Sequence, residues 1–514
     1  MLKNDVIVSG NQWPIDDTTE RERLRRIREN EILFRGKLDE VQSMKQWNQR
    51  VTSDWHKHVP ALVAANFYKP ITLLCADLLY GEQGETMGAS CTNTKANDGL
   101  KKIIENNRFN ALAYEVGGLA ASYRKNGIYS ISYNDVEKKV RIYPQPAEYW
   151  FPVVDQGQVK KVVQDIIAWP ELHNGKLYLR KQVHAPGHVY NYAFELNNSM
   201  LDPNNKNSIA IVRDGKIGRQ VKLSDIGITD TQEDTITRID KSLIVAFPNW
   251  GVDNDIYGVD DYEDLDSLVL ELAVMLSRNS MVLAKHTDPS ITGDASFLQY
   301  DEKTGEYKVP GGGTFWPVSQ DGIKAEYMTW DGKLDAAEKQ IDRLIELIFY
   351  ISETSPAAFG MDKTSTTESG SALKKRLMRT IAKVNRKKLY ADPAIKDVLE
   401  IAQMMDVEWA GGTYEVERPS IDWADGLPDD DLEEAQIVGQ RIKDGTMSQL
   451  EGIMKLDKCD EATAKKKLKQ IQEEKDAALP AWGRSNFGNQ GNGSNQPPVN
   501  QFRQGSAGGE GNAA

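Results

Sequence analysis

Pro356-Ala-Ala-Phe-Gly360-Met-Asp-Lys363-Thr364-Ser365-Thr366-Thr367-Glu-Ser-Gly370 separates two helical patterns, and the reading of residues 334–390 decides the fold. Before it, Leu334, Ala337, Ile341, Leu344, Ile348 and Ile351 recur at steps of three and four, the narrow apolar seam of a helix reaching about Ser355. After it, from about Ser371, Leu373, Leu377, Ile381 and Val384 share one stripe. Around that stripe stand Lys374, Lys375, Arg376, Arg379, Lys383, Arg386, Lys387 and Lys388, with no acidic residue among them. Such a helix is a solvated or ion-paired face, a docking face for a partner helix, or a polyanion contact. The linker is too long and too polar for a simple helical hairpin, and loops of that length in compact domains are functional or mobile.

The rest of the chain leans acidic. Its formal net charge of −13 argues against a free-standing DNA-coating protein, though not against one that lets DNA slide past ungripped. At 514 residues, with 40% apolar and 27% charged residues, a globular chain of roughly two to four domains is expected. Cys75, Cys91 and Cys459 are odd in number and widely spaced, which offers no disulfide framework or zinc spacing and suits a reducing compartment. The N-terminus lacks the apolar core and cleavage site of a secretion signal. The longest apolar stretch, 265–283, is interrupted by Asp266, Glu271 and Arg278, so a packed helix is expected there and no membrane contact.

Working outward, the pattern predicts helices at 18–42, about 69–80 and about 98–126, the last capped by Asp98 and stopped by Gly127. Short alternating runs from Ile128 to Phe247, with turns at Asn174-Gly, Pro186-Gly and Asp214-Gly, predict one antiparallel sheet domain. A helix at about 262–285 follows, with Asp260, Asp261, Glu263, Asp264 and Asp266 in its first turn and two adjacent apolar faces. Residues 287–333 read as a compact insertion with strand-like pieces. The flanking helices should therefore pack side by side, antiparallel, with the insertion as a separate lobe. Helices near 393–406, from the three acids after Pro428 to about Lys443, after Ser448 (a capping box with Glu451) and over 460–478 complete an α+β chain. From Gly483 the composition is that of a disordered tail. Its deletion is expected to leave the thermal midpoint nearly unchanged, and a large drop in a calorimetric scan would show it docked.

Chemistry is sparse. Gly311-Gly-Gly-Thr lacks the lysine and helix of a phosphate loop, and Pro186-Gly makes His184-Ala-Pro-Gly-His188 a hairpin turn instead of a metal-binding helix. Asp253-Asn-Asp255-Ile-Tyr257-Gly258-Val-Asp-Asp261 partly matches a calcium loop, but Tyr257 occupies a ligand place and Asp264 stands where a bidentate Glu belongs. It reads as a solvated acidic approach to a helix. No catalytic residue, metal or cofactor is expected.

Several segments together resemble the portal proteins of tailed double-stranded DNA bacteriophages, of the siphophage type. They are Phe67-Tyr-Lys-Pro to Gly81-Glu82, Ala246-Phe-Pro-Asn249 with Gly258-Val-Asp-Asp261, and Ile348 to Pro356 with Phe359-Gly360 and Ser369-Gly-Ser-Ala-Leu373. Leu427-Pro-Asp-Asp and Gly445-Thr-Met-Ser448 complete the set. One departure is Asp260, where the family often has serine. The resemblance implies a homo-oligomeric ring, twelve subunits, around a DNA channel at one capsid vertex, assembled in the bacterial host cytoplasm. In that frame 1–259 is the wing, 260–286 and 334–355 are stem helices and 287–333 is the clip. Residues 356–370 are the tunnel loop, 371–424 the helix behind it with the return to the wing, 425–482 the crown and 483–514 the tail. Lys363, Thr364, Ser365, Thr366, Thr367, Lys374, Lys375 and Arg376 would face DNA. Leu272, Leu276, Ile341, Leu344 and Ile348 would meet neighbouring subunits. Partners would be double-stranded DNA, the terminase large subunit, major capsid and scaffolding proteins and a head-completion adaptor. The rival readings are a metal-dependent nucleic-acid enzyme using Asp253, Asp255 and Asp261, and a capsid-associated adaptor without a channel.

Overall fold

The computed structural model describes residues 5–44, 63–81, 87–197, 200–201, 212–213, 215–229, 231–253, 255–287, 291–293, 299–301, 306–308, 315–317, 326–327, 334–361, 370–424, 431–457 and 459–478. The tail from Gly483 lies outside these. The chain divides into two compact units, 1–428 and 429–514.

In the first unit, Asp17 caps the helix Thr18–Arg35 by accepting from the Thr19 and Glu20 amides. Gly36 ends that helix in the left-handed region at φ 66, which a side chain would resist. The expected single helix over 18–42 is therefore two, with Leu38–Ser43 following. The 98–126 expectation also needs correction. The helix starts at Thr94 on an Asn93 cap, and Arg108 breaks it at φ 47. Phe109–Ala113, a wide turn over Tyr114–Ala120 and Ala121–Arg124 continue it in pieces. Asn93 wins over Asp98 because its side chain accepts from the Lys95 and Ala96 amides.

Among the described residues the alternating runs form a three-stranded and a seven-stranded antiparallel sheet, with Met200–Leu201 and Val212–Arg213 as a separate pair. Asn126–Asn134 lies between Lys139–Pro144 and Ile244–Pro248 in a three-stranded sheet. A seven-stranded sheet runs from Trp150–Val154 through Val162–His173, Lys176–Ala185 and His188–Asn197 to Gly215–Val221. Gln12–Trp13 and Asp234–Ile236 add to it. The Asn174-Gly turn puts both residues at positive φ, as a tight hairpin requires, and 184–188 is the hairpin turn expected from Pro186-Gly. His184 is buried in that hairpin with neither ring nitrogen hydrogen-bonded, and burial lowers its pKa to about 4, so it stays neutral.

Asp165 ties the larger sheet to the loop before the smaller one. It accepts from the Trp150 indole at 2.9 Å and from the Ser242 hydroxyl at 2.7 Å. Burial, outweighing those bonds, raises its pKa from 3.8 to about 6. An acid whose pKa rises on folding binds its proton more tightly when folded, so stability falls as pH climbs from about 4 to about 6 and stays lowered above. Asp165→Asn can accept the Trp150 indole on its Oδ1 and donate its own amide to the Ser242 hydroxyl. It is expected to stabilise the fold at pH 8 by on the order of 1–3 kcal/mol and to change little at pH 4, as read by urea unfolding at the two pH values.

The Asp266–Thr287 and Leu334–Ile351 helices pack along each other, with Leu265, Val269, Leu272, Leu344 and Ile348 in one core that also takes Leu33, Tyr68 and Tyr262. The first of these helices begins at Asp266, so Asp260 and Asp261 precede it and do not sit in its first turn. Between the two helices, the described strand 291–293 pairs with 315–317 on one side and 326–327 on the other, and 299–301 pairs with 306–308. None of these described strands joins the larger sheets.

Two helices expected near 371–390 and 393–406 are continuous through Pro393 as Met378–Met405. Proline in a helix interior costs about 3 kcal/mol. Here Ala391, Ala394, Ile395, Val398, Leu399 and Ala402 are buried in the main core and keep the helix running past it. In the second unit, Asp431–Lys443, Gln449–Leu456 and Glu461–Ala478 are helical, and Ser448 and Glu451 form the expected capping box. No described helix is long and apolar enough to cross a membrane.

Candidate functional site

The Leu334–Ile351 helix stops where Ser352 to Thr354 turn away, and this turn is built onto the basic helix. Ser352 and Thr354 are buried. The Lys383 ammonium donates to the Ser352 carbonyl at 3.0 Å, and the Ser355 amide donates to the Thr380 hydroxyl at 2.8 Å. Glu353 stands at φ 55, a conformation costing a non-glycine residue about 1–2 kcal/mol. Arg379, at 3.0 Å, and Arg386 both hold its carboxylate. A short turn over Pro356–Phe359 then closes on Gly360, and Phe359 packs on Phe349. Residues 362–369, including Lys363, Thr364, Ser365, Thr366 and Thr367, lie outside the described residues.

Behind the turn sits a buried charge cluster. Asp261 receives the Lys387 ammonium at 2.5 Å and the Asn249 amide at 3.0 Å, with the Lys383 ammonium 3.5 Å away. Lys387 also donates to the Ser122 hydroxyl at 2.9 Å, while the Asp261 amide donates to the Ser122 carbonyl at 2.9 Å. Both lysines and the carboxylate are shielded from solvent. Burial alone would raise the Asp261 pKa, but Lys383 and Lys387 hold it down at about 2. Burial opposes the charge on Lys383, yet Asp261 keeps its pKa raised. Gly258, just before the cluster, has no room for a side chain, since a Cβ there would lie 2.2 Å from the Lys125 carbonyl. Asp260, also buried, pairs with Arg26 at 3.2 Å.

These contacts revise how the basic helix reads. Lys383 and Lys387 are core residues, Arg379 and Arg386 answer one carboxylate, and the Lys388 ammonium lies 5.1 Å over the Trp423 ring, so much of the helix's charge is engaged inside the chain. Lys374, Lys375 and Arg376 occupy the last turn of the separate short helix Gly370–Arg376, where positive charge suits the dipole. Lys374 and Lys375 are exposed and Arg376 is half-buried. The acids of the calcium-like loop do not converge. Asp261 is held by lysines, Asp255 accepts its own Tyr257 amide, and no described group of three ligating side chains could hold a metal.

Leu272, Leu344 and Ile348, expected to meet neighbouring subunits, are buried within this chain, whereas Leu276 and Ile341 are only partly covered. Thr380 and Ser122 escaped the sequence reading because nothing local marks them, and Glu353 entered it only inside the quoted stretch 348–356. Asn249 and Gly258 were visible only within the quoted motifs.

The phage portal protein family described as SPP1 Gp6-like matches residues 16–481, nearly the whole chain. The chain belongs to this family of phage portal proteins. No curated protein matches it in sequence. As a portal protein it is a component of the capsid's head-tail connector and of genome packaging, and the family is structural instead of catalytic. The match spans the turn at 352–360, the basic helix and the buried cluster.

Proposed function

We propose that this portal protein assembles into a homo-oligomeric ring, of twelve subunits, at one capsid vertex, through which double-stranded DNA enters and leaves. In this reading the sheets form the wing, 260–286 and 334–355 are stem helices, and 287–333 is the clip. Residues 425–482 form the crown, and the ring offers docking places to the terminase large subunit, capsid and scaffolding proteins and a head-completion adaptor. The family match over 16–481 carries the reading.

The charge distribution supports it physically. A channel lined with free lysines would displace the counterions condensed on the phosphates and hold DNA tightly. Much of the charge on this basic helix is instead answered inside the chain, while Lys375 is exposed on the short helix that precedes it. Contacts from Lys363, Lys374, Lys375 and Arg376 with Thr364 to Thr367 would then be glancing and blind to base sequence.

Class-averaged electron micrographs of the purified protein test the ring; particles without a central hole would count against it. Neutralising Lys363, Lys374 and Lys375 together is expected to lower packaging rate or packaged length while rings still form. Failed rings with normal DNA handling would make these lysines intersubunit ion-pair partners.

A further inference from the structure

Sequence and backbone disagree at Glu353. Glutamate favours helix, and Ser352-Glu-Thr-Ser355 holds no glycine or proline, so the Leu334–Ile351 helix could wind on until Pro356 stops it. Instead Glu353 stands at φ 55, the left-handed conformation that glycine supplies where helices end. The Thr354 amide bonds back to the Phe349 carbonyl at 3.0 Å, and the chain turns away. A residue with a side chain is penalised in that conformation, so something must offset the cost.

Two arginines do so. Arg379 donates to one oxygen of the Glu353 carboxylate and Arg386 to the other. Both guanidinium side chains are open to water, 72% and 42% exposed. Exposed pairs of this kind contribute about what a left-handed residue costs, so the bend is poised and not locked. Before the bend the chain is fixed, since Ser352 is buried and its carbonyl takes the Lys383 ammonium. After it, the buried Thr354 and the bond from the Ser355 amide to the Thr380 hydroxyl favour the turn, but no residue of Pro356–Phe359 is buried. We propose that residues 352–355 form a two-state helix end. Glu353, paired with Arg379 and Arg386, latches the turn. Without that pairing the same residues wind into one more turn of the Leu334–Ile351 helix, ending at Pro356. Such a turn would move the helix exit about 5 Å along its axis. The latch is built from contacts within one chain and does not depend on the ring reading.

Variants of the full chain, compared with wild type by cryo-EM or crystallography, test this at the helix end itself. Glu353→Ala keeps the backbone cost and loses the pairing, as does Arg379→Gln with Arg386→Gln. Each is expected to shift the ratio of turn to helix on the order of tenfold toward helix, enough to change the form that dominates. Glu353→Gly loses the pairing and the backbone cost together, so it is expected to keep the wild-type turn. A wild-type turn in either pairing variant would overturn the proposal, because the arginines would then hold nothing. An extended helix in Glu353→Gly would overturn it too, because the backbone cost would then not be the lever. The rest of the same map shows whether a variant has folded. Should one pairing variant fail to fold, the other carries the test.

Discussion

Asp261→Ala is expected to destabilise the fold by about 3–5 kcal/mol, because it removes the anion that two buried ammonium groups share. Urea unfolding measures this. Lys387→Met should cost clearly less, since it leaves Lys383 and Asp261 as a one-to-one pair, and a Lys387→Met as damaging as Asp261→Ala would refute the arrangement. The pH dependence has a definite sign. The folded carboxyl lies at about 2 against an ordinary 3.8, so its stabilisation is fully present above about pH 4 and fades as pH falls toward 2. The gap between wild type and Asp261→Asn should therefore narrow in that window and stay constant above it.

Leu272→Asp is expected to leave little folded protein. Leu272 is 1% exposed between Val269, Leu344 and Ile348, and a carboxylate there has no partner, a cost of at least about 4 kcal/mol. That is a large part of the net stability of a typical domain, about 5–15 kcal/mol. Soluble yield and circular dichroism would record the loss before any question of assembly arises. Leu276→Asp, at a partly covered position, should fold and be milder. The resemblance placed Leu272 against a neighbouring subunit, whereas its burial within this chain makes folding the first loss. Equal solubility of both variants would count against that.

The helix and strand patterns were legible because their signals are local. The seam from Ile341 to Ile348, the Ser448–Glu451 box and the Asn174-Gly and Pro186-Gly turns each depend on residues a few positions apart, and each is found where the pattern put it. Local rules failed where packing outweighed them. Pro393 should have ended a helix, but the buried face on either side of it offsets the lost backbone bond. Asp98 resembled a cap, but Asn93 reached the free amides first.

By itself the sequence determined the mixture of helix and strand, the helices on either side of the stretch 356–370 and the order of segments that marks a portal protein. Only the tertiary structure decided what the charges do. A lysine on a helix reads as a solvated or DNA-facing group unless a carboxylate is brought to it. The one that buries Lys387 stands 126 residues away, at the approach to another helix. The same holds for Leu272 and Ile348, whose seam could face a neighbour or the chain's own core with an identical pattern. Periodicity fixes which residues share a face, because helix geometry is local. What that face meets is set by long-range packing, and here it meets the chain itself.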